Sequence, residues 1–360
     1  MNPKPFPLKC QLAIFNVSDL RLSPTAAAAA LKPFEFQDLA PGVEGASVGW
    51  VAADDAHHTP EHFDPEHFEQ TLPLPGGRTV TALWWRMRVD ARKVPKHLVD
   101  MRIEAVEKVR GRRLSKTEKA EIRETVAQEV LPNLPTTTKF FHVAVSGNIA
   151  LLTTCSKANV EDFVRLMQGT FVDATILQVA ARGDTATKPS CVLTHLLACE
   201  TLKIFPAGFA GRWIFDGGVT LQNVEERLSI ATDGVAVLTD ACTEALASGA
   251  LLRSASFTLA DTRGLPDDEG PIWKVRADMA SGAVSCGHEE VESEPEDQTA
   301  LRLATHFRFA DLWISILLAT DAYKTDVDKR CTELMLRKRG TVDLDDSYTL
   351  SLHTNANNSS

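Results

Sequence analysis

The sequence predicts an α+β fold of mixed antiparallel sheets with a helical hairpin, and three observations predict it. Strand-like runs lie before and after a pair of consecutive helical segments, in the order strand, two helices, hairpin, helix, strand, instead of alternating with helices one by one. Two of the runs are joined by Ser146-Gly147-Asn148, a hairpin signal. Ser115-Lys-Thr-Glu118 is a capping box, and it opens a helix just after Gly111 ends another.

The elements follow in order. Cys10 to Val17 reads as a strand, and the alanine-rich Ala26 to Leu31 as a short helix with Thr25 as its cap. After Gly49-Trp50-Val51, the His/Glu/Asp-rich stretch Asp54 to Glu69 reads as an exposed connection. Thr79 to Val89, rich in Val, Thr and Trp behind Pro75-Gly76-Gly77, reads as a strand. From Pro95 the period becomes helical: Leu98, Met101, Ala105 and Val109 recur on one face, with Val99, Ile103 and Val106 beside them. Pro95 suits the first turn and Gly111 the position past the end. The helix opened by Ser115 runs to about Val130 and stops before Pro132. Phe140 to Val145 and Ile149 to Thr154 are the hairpin strands. A helix from Asn159 to Gly169 and a strand from Phe171 to Val179 follow.

Beyond that point Pro189 to Phe205 reads as helical, Val219 to Val237 as strand-like, Asp240 to Leu251 as helical and Arg253 to Leu259 as a strand. Asp267 to Glu269 and the acidic run Glu289 to Asp297 read as loops, and Leu301 to Tyr323 as a strongly apolar helix. The 360 residues suffice for one large or two ordinary domains. The expected organisation is an N-terminal α+β domain with the hairpin over residues 1–180, a C-terminal α+β region over 181–335, and an exposed or disordered tail over 336–360.

Composition is that of an ordinary globular protein, 44% hydrophobic and 24% charged. No run approaches the roughly 18 apolar residues of a membrane helix, and no apolar stretch of signal-peptide length follows Met1 to Pro7, so a cytoplasmic location is expected. The seven cysteines are scattered without a Cys-x-x-Cys pair, which reads as buried thiols and not as a disulfide framework or zinc site.

The net charge of −10 hides a segregation. Between Arg86 and Lys119 stand twelve Lys/Arg against five acids, a net of +7, so the remainder carries −17. One alternative is a solvated helix face with i,i+4 pairs such as Glu104 with Lys108. Against it stand Lys108, Arg110, Arg112 and Arg113, four cations in six residues around a helix end, too many for the local acids. Such side chains reach phosphates and give affinity without sequence readout. The candidate DNA-contacting residues are Lys93, Lys96, Arg102, Lys108, Arg110, Arg112, Arg113, Lys116 and Lys119. No catalytic residue, metal or cofactor is assigned.

At this segment the chain resembles the RdgC family of recombination-associated proteins. The likeness is carried by Arg112-Arg-Leu-Ser-Lys-Thr-Glu-Lys119, the helix to Glu129-Val-Leu-Pro132, the hairpin Phe140 to Thr154, and Cys155-Ser-Lys-Ala with the helix to Gly169. The resemblance implies a ring-shaped homodimer with a positively lined hole around duplex DNA, bound without sequence preference. It implies restraint of RecA-type recombinases, a nucleoid-associated location, and Arg112, Arg113, Lys116 and Lys119 lining the hole. Where the family often carries a basic and aromatic finger, this chain has Asn133-Leu-Pro-Thr-Thr-Thr138, with no Arg and no Phe.

Other constellations point elsewhere. His57, His58, Glu61, His62, Glu66 and His67 have metal-ligand types, but Pro60 and Pro65 interrupt any helix, so an exposed polar loop is the reading preferred. Cys286-Gly-His288 with Glu289 has the types of a Cys/His nucleophile pair, but sequence neighbours seldom have catalytic geometry. A nuclease needs a carboxylate cluster for Mg²⁺, and Asp261, Asp267, Asp268 and Glu269 supply carboxylates only around Gly and Pro. Trp84-Trp85 has the type to stack on single-stranded bases, although in a strand at least one should face the core. A metal-dependent exonuclease, or a protein-interaction module with a basic face, are the alternatives to duplex binding.

Overall fold

A computed structural model describes residues 6–18, 23–53, 69–73, 79–179, 211–223, 228–232, 244–245, 250–261, 271–278, 283–288 and 298–322. The fold is α+β with antiparallel sheet pairing, and the chain divides into two units. The first comprises residues 1–6, 14–177 and 293–304, the second residues 7–13, 178–292 and 305–360.

In the first unit, β1 (Lys9–Ser18) contributes its residues from 14 onward. A short helix, α1 (Pro24–Leu31), follows, and Ser23 caps it, not the expected Thr25: the Ser23 hydroxyl accepts from the Ala26 amide, while Thr25 already lies inside the helix behind Pro24. Then come β2 (Gly45–Val51), β3 (Glu69–Pro73) and β4 (Thr79–Arg92). The helical pair α2 (Lys96–Arg110) and α3 (Lys116–Val130) leads to β5 (Thr137–Ser146), β6 (Ile149–Leu152), α4 (Lys157–Thr170) and β7 (Thr175–Gln178). The strand order is β1-β6-β5-β4-β2, with β3 also on β4 and β7 on β1.

Strand β4 is central. It pairs β5 on one side, and β2 and β3 along successive stretches of the other. From Ala82 to Asp90 every residue except Arg86 is buried, because both faces are covered. Trp85 meets Trp50 edge-on at 5.9 Å, and Phe163 of α4 packs on Trp50 in turn. On the other face Trp84 stacks on His142, its indole N–H donating to Nδ1 at 3.2 Å. Burial, then the nearby Arg86 charge, pushes His142 down to about 4, so it is a neutral acceptor there. Neither tryptophan is open for base stacking.

Charge is also buried in this strand. The Arg88 guanidinium donates to both Asp90 oxygens at 2.9 and 2.6 Å and lies 4.0 Å from the Phe36 ring centroid. The pair sits on one face of β4 at i,i+2, and Arg88 also reaches the exposed Asp38 at 3.3 Å. Removing Arg88 would strand the buried Asp90 carboxylate, at a cost of about 3–5 kcal/mol.

In the second unit the first residues of β1 pair β13 (Ala283–His288), and the order is β10-β9-β11-β12-β13-β1. The other strands are β8 (Gly211–Ile214), which also pairs β11, β9 (Val219–Asn223), β10 (Leu228–Thr232), β11 (Leu251–Asp261) and β12 (Ile272–Asp278). The strand-like Val219 to Val237 is thus an antiparallel pair, β9 and β10, as far as it is described. Leu251, expected to end a helix, opens β11 instead. Helix α5 (Gln298–Ala322) packs on this sheet from residue 305: Phe309 meets Trp273 at 5.7 Å and Trp313 stacks on Phe257 at 6.3 Å. The readings at Pro189 to Phe205, Asp267 to Glu269, Glu289 to Asp297 and residues 336–360 lie outside the described residues. Of the described cysteines Cys286 is buried as expected, whereas Cys10 and Cys155 are half-buried.

One glycine is dictated by backbone approach. The Phe36 amide donates to the Trp50 carbonyl, and a Cβ on Gly49 would stand 2.4 Å from the Phe36 Cα. Gly49→Ala is expected to lower stability by about 1–3 kcal/mol in denaturant titration; an unchanged midpoint would contradict this packing.

Candidate nucleic-acid interface

The two helices α2 and α3 project the basic segment. Gly111 adopts φ 63°, a left-handed conformation that costs glycine little, and so ends α2. At the start of α3 both halves of the capping box form: Ser115 Oγ accepts from the Glu118 amide, and the Ser115 amide donates to Glu118 Oε2 at 2.8 Å.

The hairpin is rooted in a small core of Val94, Val126 and Leu131, joined by Leu98, Val99, Ile122 and Leu134. No residue of α2 is fully buried. Of the apolar residues that recur at helical spacing, Leu98 packs, but Met101, Ala105 and Val109 are exposed, Val109 at 88%. The half-buried side of α2 holds Leu98, Val99, Ile103 and Val106, since α2 rests only on α3 and the root.

Three of the twelve cations belong to the frame. Arg86 donates to the Ala52 carbonyl, Arg88 is the buried partner of Asp90, and Arg92 donates to the carbonyls of Ala40, Val43 and Leu134. The nine candidates are all exposed. Arg102 forms a two-pronged pair with Glu129 at 2.7 and 3.0 Å, and Lys119 pairs with Glu107 at 3.3 Å. Glu118 serves both Arg110 and Arg112. Lys93, Lys96, Lys108, Arg113 and Lys116 form no ion pair among the described residues, and neither does Glu104, the anticipated partner of Lys108.

Arg123 is not among the nine candidates. It follows Lys116 and Lys119 at i+7 and i+4 on α3, a spacing that marks one helix face, and it is exposed while reaching Glu44 at 3.5 Å. The stretch from Asn133 to Thr138 closes the hairpin with a short 3-10 turn, Leu131–Asn133, and runs into β5.

A family model described as "Putative exonuclease, RdgC" matches residues 10–211. The chain belongs to the RdgC family. No curated protein matches it. Membership associates this RdgC-family chain with nucleic acid, and its matched stretch includes the whole basic hairpin.

The other constellations fare differently in this RdgC-family chain. The His57 to His67 cluster and Asp267, Asp268 and Glu269 lie outside the described residues. Asp261 is buried and takes a 2.6 Å hydrogen bond from Arg308, so its carboxylate is already engaged. Among the described residues no three His, Cys, Asp or Glu converge as a metal-holding group, and no helix is long and apolar enough to cross a membrane.

Glu118 is the organising acid of the tip. Hydrogen bonds from Arg112 and from Ser115 hold its carboxyl down to about 2, against an ordinary 4.5. A depressed folded-state value means that its contribution is complete above pH 4.5 and lost as pH falls through about 2. A carboxyl NMR titration of the intact chain should place Glu118 near 2 and move it upward in Arg112→Gln. A midpoint near 4.5 in the wild type would contradict the geometry.

Proposed function

We propose that the chain binds double-stranded DNA without sequence preference, through phosphate contacts from the tip and flank of the α2–α3 hairpin. The observation that carries this reading is the set of exposed cations that form no ion pair among the described residues, Lys93, Lys96, Lys108, Arg113 and Lys116. A phosphate can join them without displacing a carboxylate, whereas Arg102 and Lys119 must first exchange one. Arg110 and Arg112 are oriented by Glu118 while remaining half exposed, and Arg123 extends the surface along α3. The acidic remainder disfavours DNA elsewhere.

From the family resemblance we take the assembly and the role: a homodimer closing as a ring around the duplex, nucleoid-associated in the cytoplasm, that obstructs RecA-type recombinase filaments. Without Arg or Phe between Asn133 and Thr138, the chain lacks a wedge to insert between bases at that stretch, so backbone contact is the whole of its grip there. The exonuclease reading is favoured by the words of the family description alone, and a protein-interaction module with a basic face has the same charge in its support.

The test is binding of a labelled 30-base-pair duplex across a salt series, wild type against Lys108→Gln/Arg113→Gln/Lys116→Gln. None of these three substitutions breaks an ion pair among the described residues. The log–log salt slope should flatten by about 0.9 for each phosphate that the variant no longer neutralises. No wild-type binding at low salt would remove the reading. Progressive loss of labelled DNA with Mg²⁺ would move the function to an exonuclease, and competition by heparin but not by duplex DNA would move it to an acidic protein partner.

A further inference from the structure

The motif Cys286-Gly287-His288 has no part in DNA binding, and the second unit gives it company. Alternation along β13 turns Val284, Cys286 and His288 to one face. Cys10 lies directly opposite Cys286 in the antiparallel β1–β13 pair, so both thiols share that face. Helix α5 covers it with the fully buried His306, whose Nε2 is 3.6 Å from the Cys10 sulfur. The His306 ring meets His288 edge-on at 5.3 Å. Lys9 points away, against Gly287 on the opposite face.

Directly opposed residues of an antiparallel pair have Cα atoms about 4.5–5.5 Å apart, inside the roughly 4.4–6.8 Å that a disulfide spans. The register therefore meets the Cα separation that a disulfide requires. Cys286 is fully buried and Cys10 half-buried, which leaves Cys10 the sulfur that a small oxidant meets first. The hydrogen bond from Cys286, and then the contact with His306, bring the Cys10 thiol down to about 6 despite burial, which raises it. This lowering favours the Cys10 thiolate, and the thiolate is the nucleophile.

We propose that Cys10 and Cys286 form a reversible redox pair, in which a hydroperoxide oxidises Cys10 and Cys286 resolves it to a disulfide beside His306. In the first step the Cys10 sulfur attacks a peroxide oxygen. The S–O bond forms, the O–O bond breaks, and the departing oxygen takes up a proton, leaving Cys10 as a sulfenic acid. In the second step the Cys286 sulfur attacks the Cys10 sulfur. The S–S bond forms, the S–O bond breaks, and hydroxide leaves as water with the proton that Cys286 gives up. Two thiols are oxidised as one peroxide is reduced, and a dithiol reductant reverses the change. The disulfide fastens the first strand to β13.

The experiment is near-stoichiometric hydrogen peroxide on the reduced full chain, alkylation of the remaining thiols, and peptide mapping by mass spectrometry. The expected product is one linked peptide pair, Cys10 with Cys286, released by dithiothreitol, absent in Cys10→Ser and unchanged in Cys155→Ser. His306→Gln should slow the linkage about tenfold at pH 7 and raise the pH midpoint of Cys10 alkylation. Because His306 is fully buried and its replacement risks the fold, the wild-type peptide map stands as a test by itself. Both thiols still alkylatable after oxidation, Cys10 driven to sulfinic acid without a link, or stoichiometric zinc protecting both thiols in the purified chain would each overturn the proposal.

Discussion

The placement of the basic surface depends on one guanidinium. Arg92, the last residue of β4, donates to the carbonyls of Ala40, Val43 and Leu134, and so ties two separate segments, the 40–43 stretch and the end of the hairpin, to β4. Next to it Val94 enters the small root core with Val126 and Leu131, and Glu44 receives both the Val94 amide and Arg123. Since α2 buries no residue fully, little besides this root and the α2–α3 contact fixes the direction of the hairpin. The root in turn inherits its position from β4, a strand made rigid by neighbours on both edges and packing on both faces.

At the far end the constraint is electrostatic. A single carboxylate, Glu118, caps α3 through Ser115 and receives Arg110 and Arg112. Glu107 does the same on a smaller scale, accepting from the Leu114 amide and pairing Lys119. Two acids therefore shape the turn, and several neighbouring cations form no ion pair among the described residues. Order and excess charge at one tip are both needed for phosphate contact, because a mobile cation loses entropy on binding and a paired one must first part from its acid.

How much of this is legible in the sequence follows the range of the interactions. The α+β class and the ends of the hairpin are readable because capping is local: Ser115 and Glu118 are three residues apart, and Gly111 needs only its own φ. The buried face of α2 is not, because periodicity identifies an apolar stripe but not whether anything lies over it. The structural roles of Arg86, Arg88 and Arg92 are hidden for a similar reason, as most of their acceptors are backbone carbonyls or acids from distant segments. Strand β12 does carry its signal: Ile272 to Asp278 alternates exposed and buried residues strictly, a period-2 pattern that marks a strand. Strand β13, short and holding Gly287, has no such signal. Its meaning comes from Cys10 and His306, which only the fold brings to Cys286.

The central claim is that duplex DNA lies on the hairpin, and lysine footprinting of the full chain tests it most directly. With and without a 30-base-pair duplex, an amine-reactive label should be excluded from Lys93, Lys96, Lys108 and Lys116 and should reach Lys157, exposed at the start of α4, equally in both. Equal labelling of the hairpin lysines with DNA bound, or protection centred on Lys157, would contradict the account.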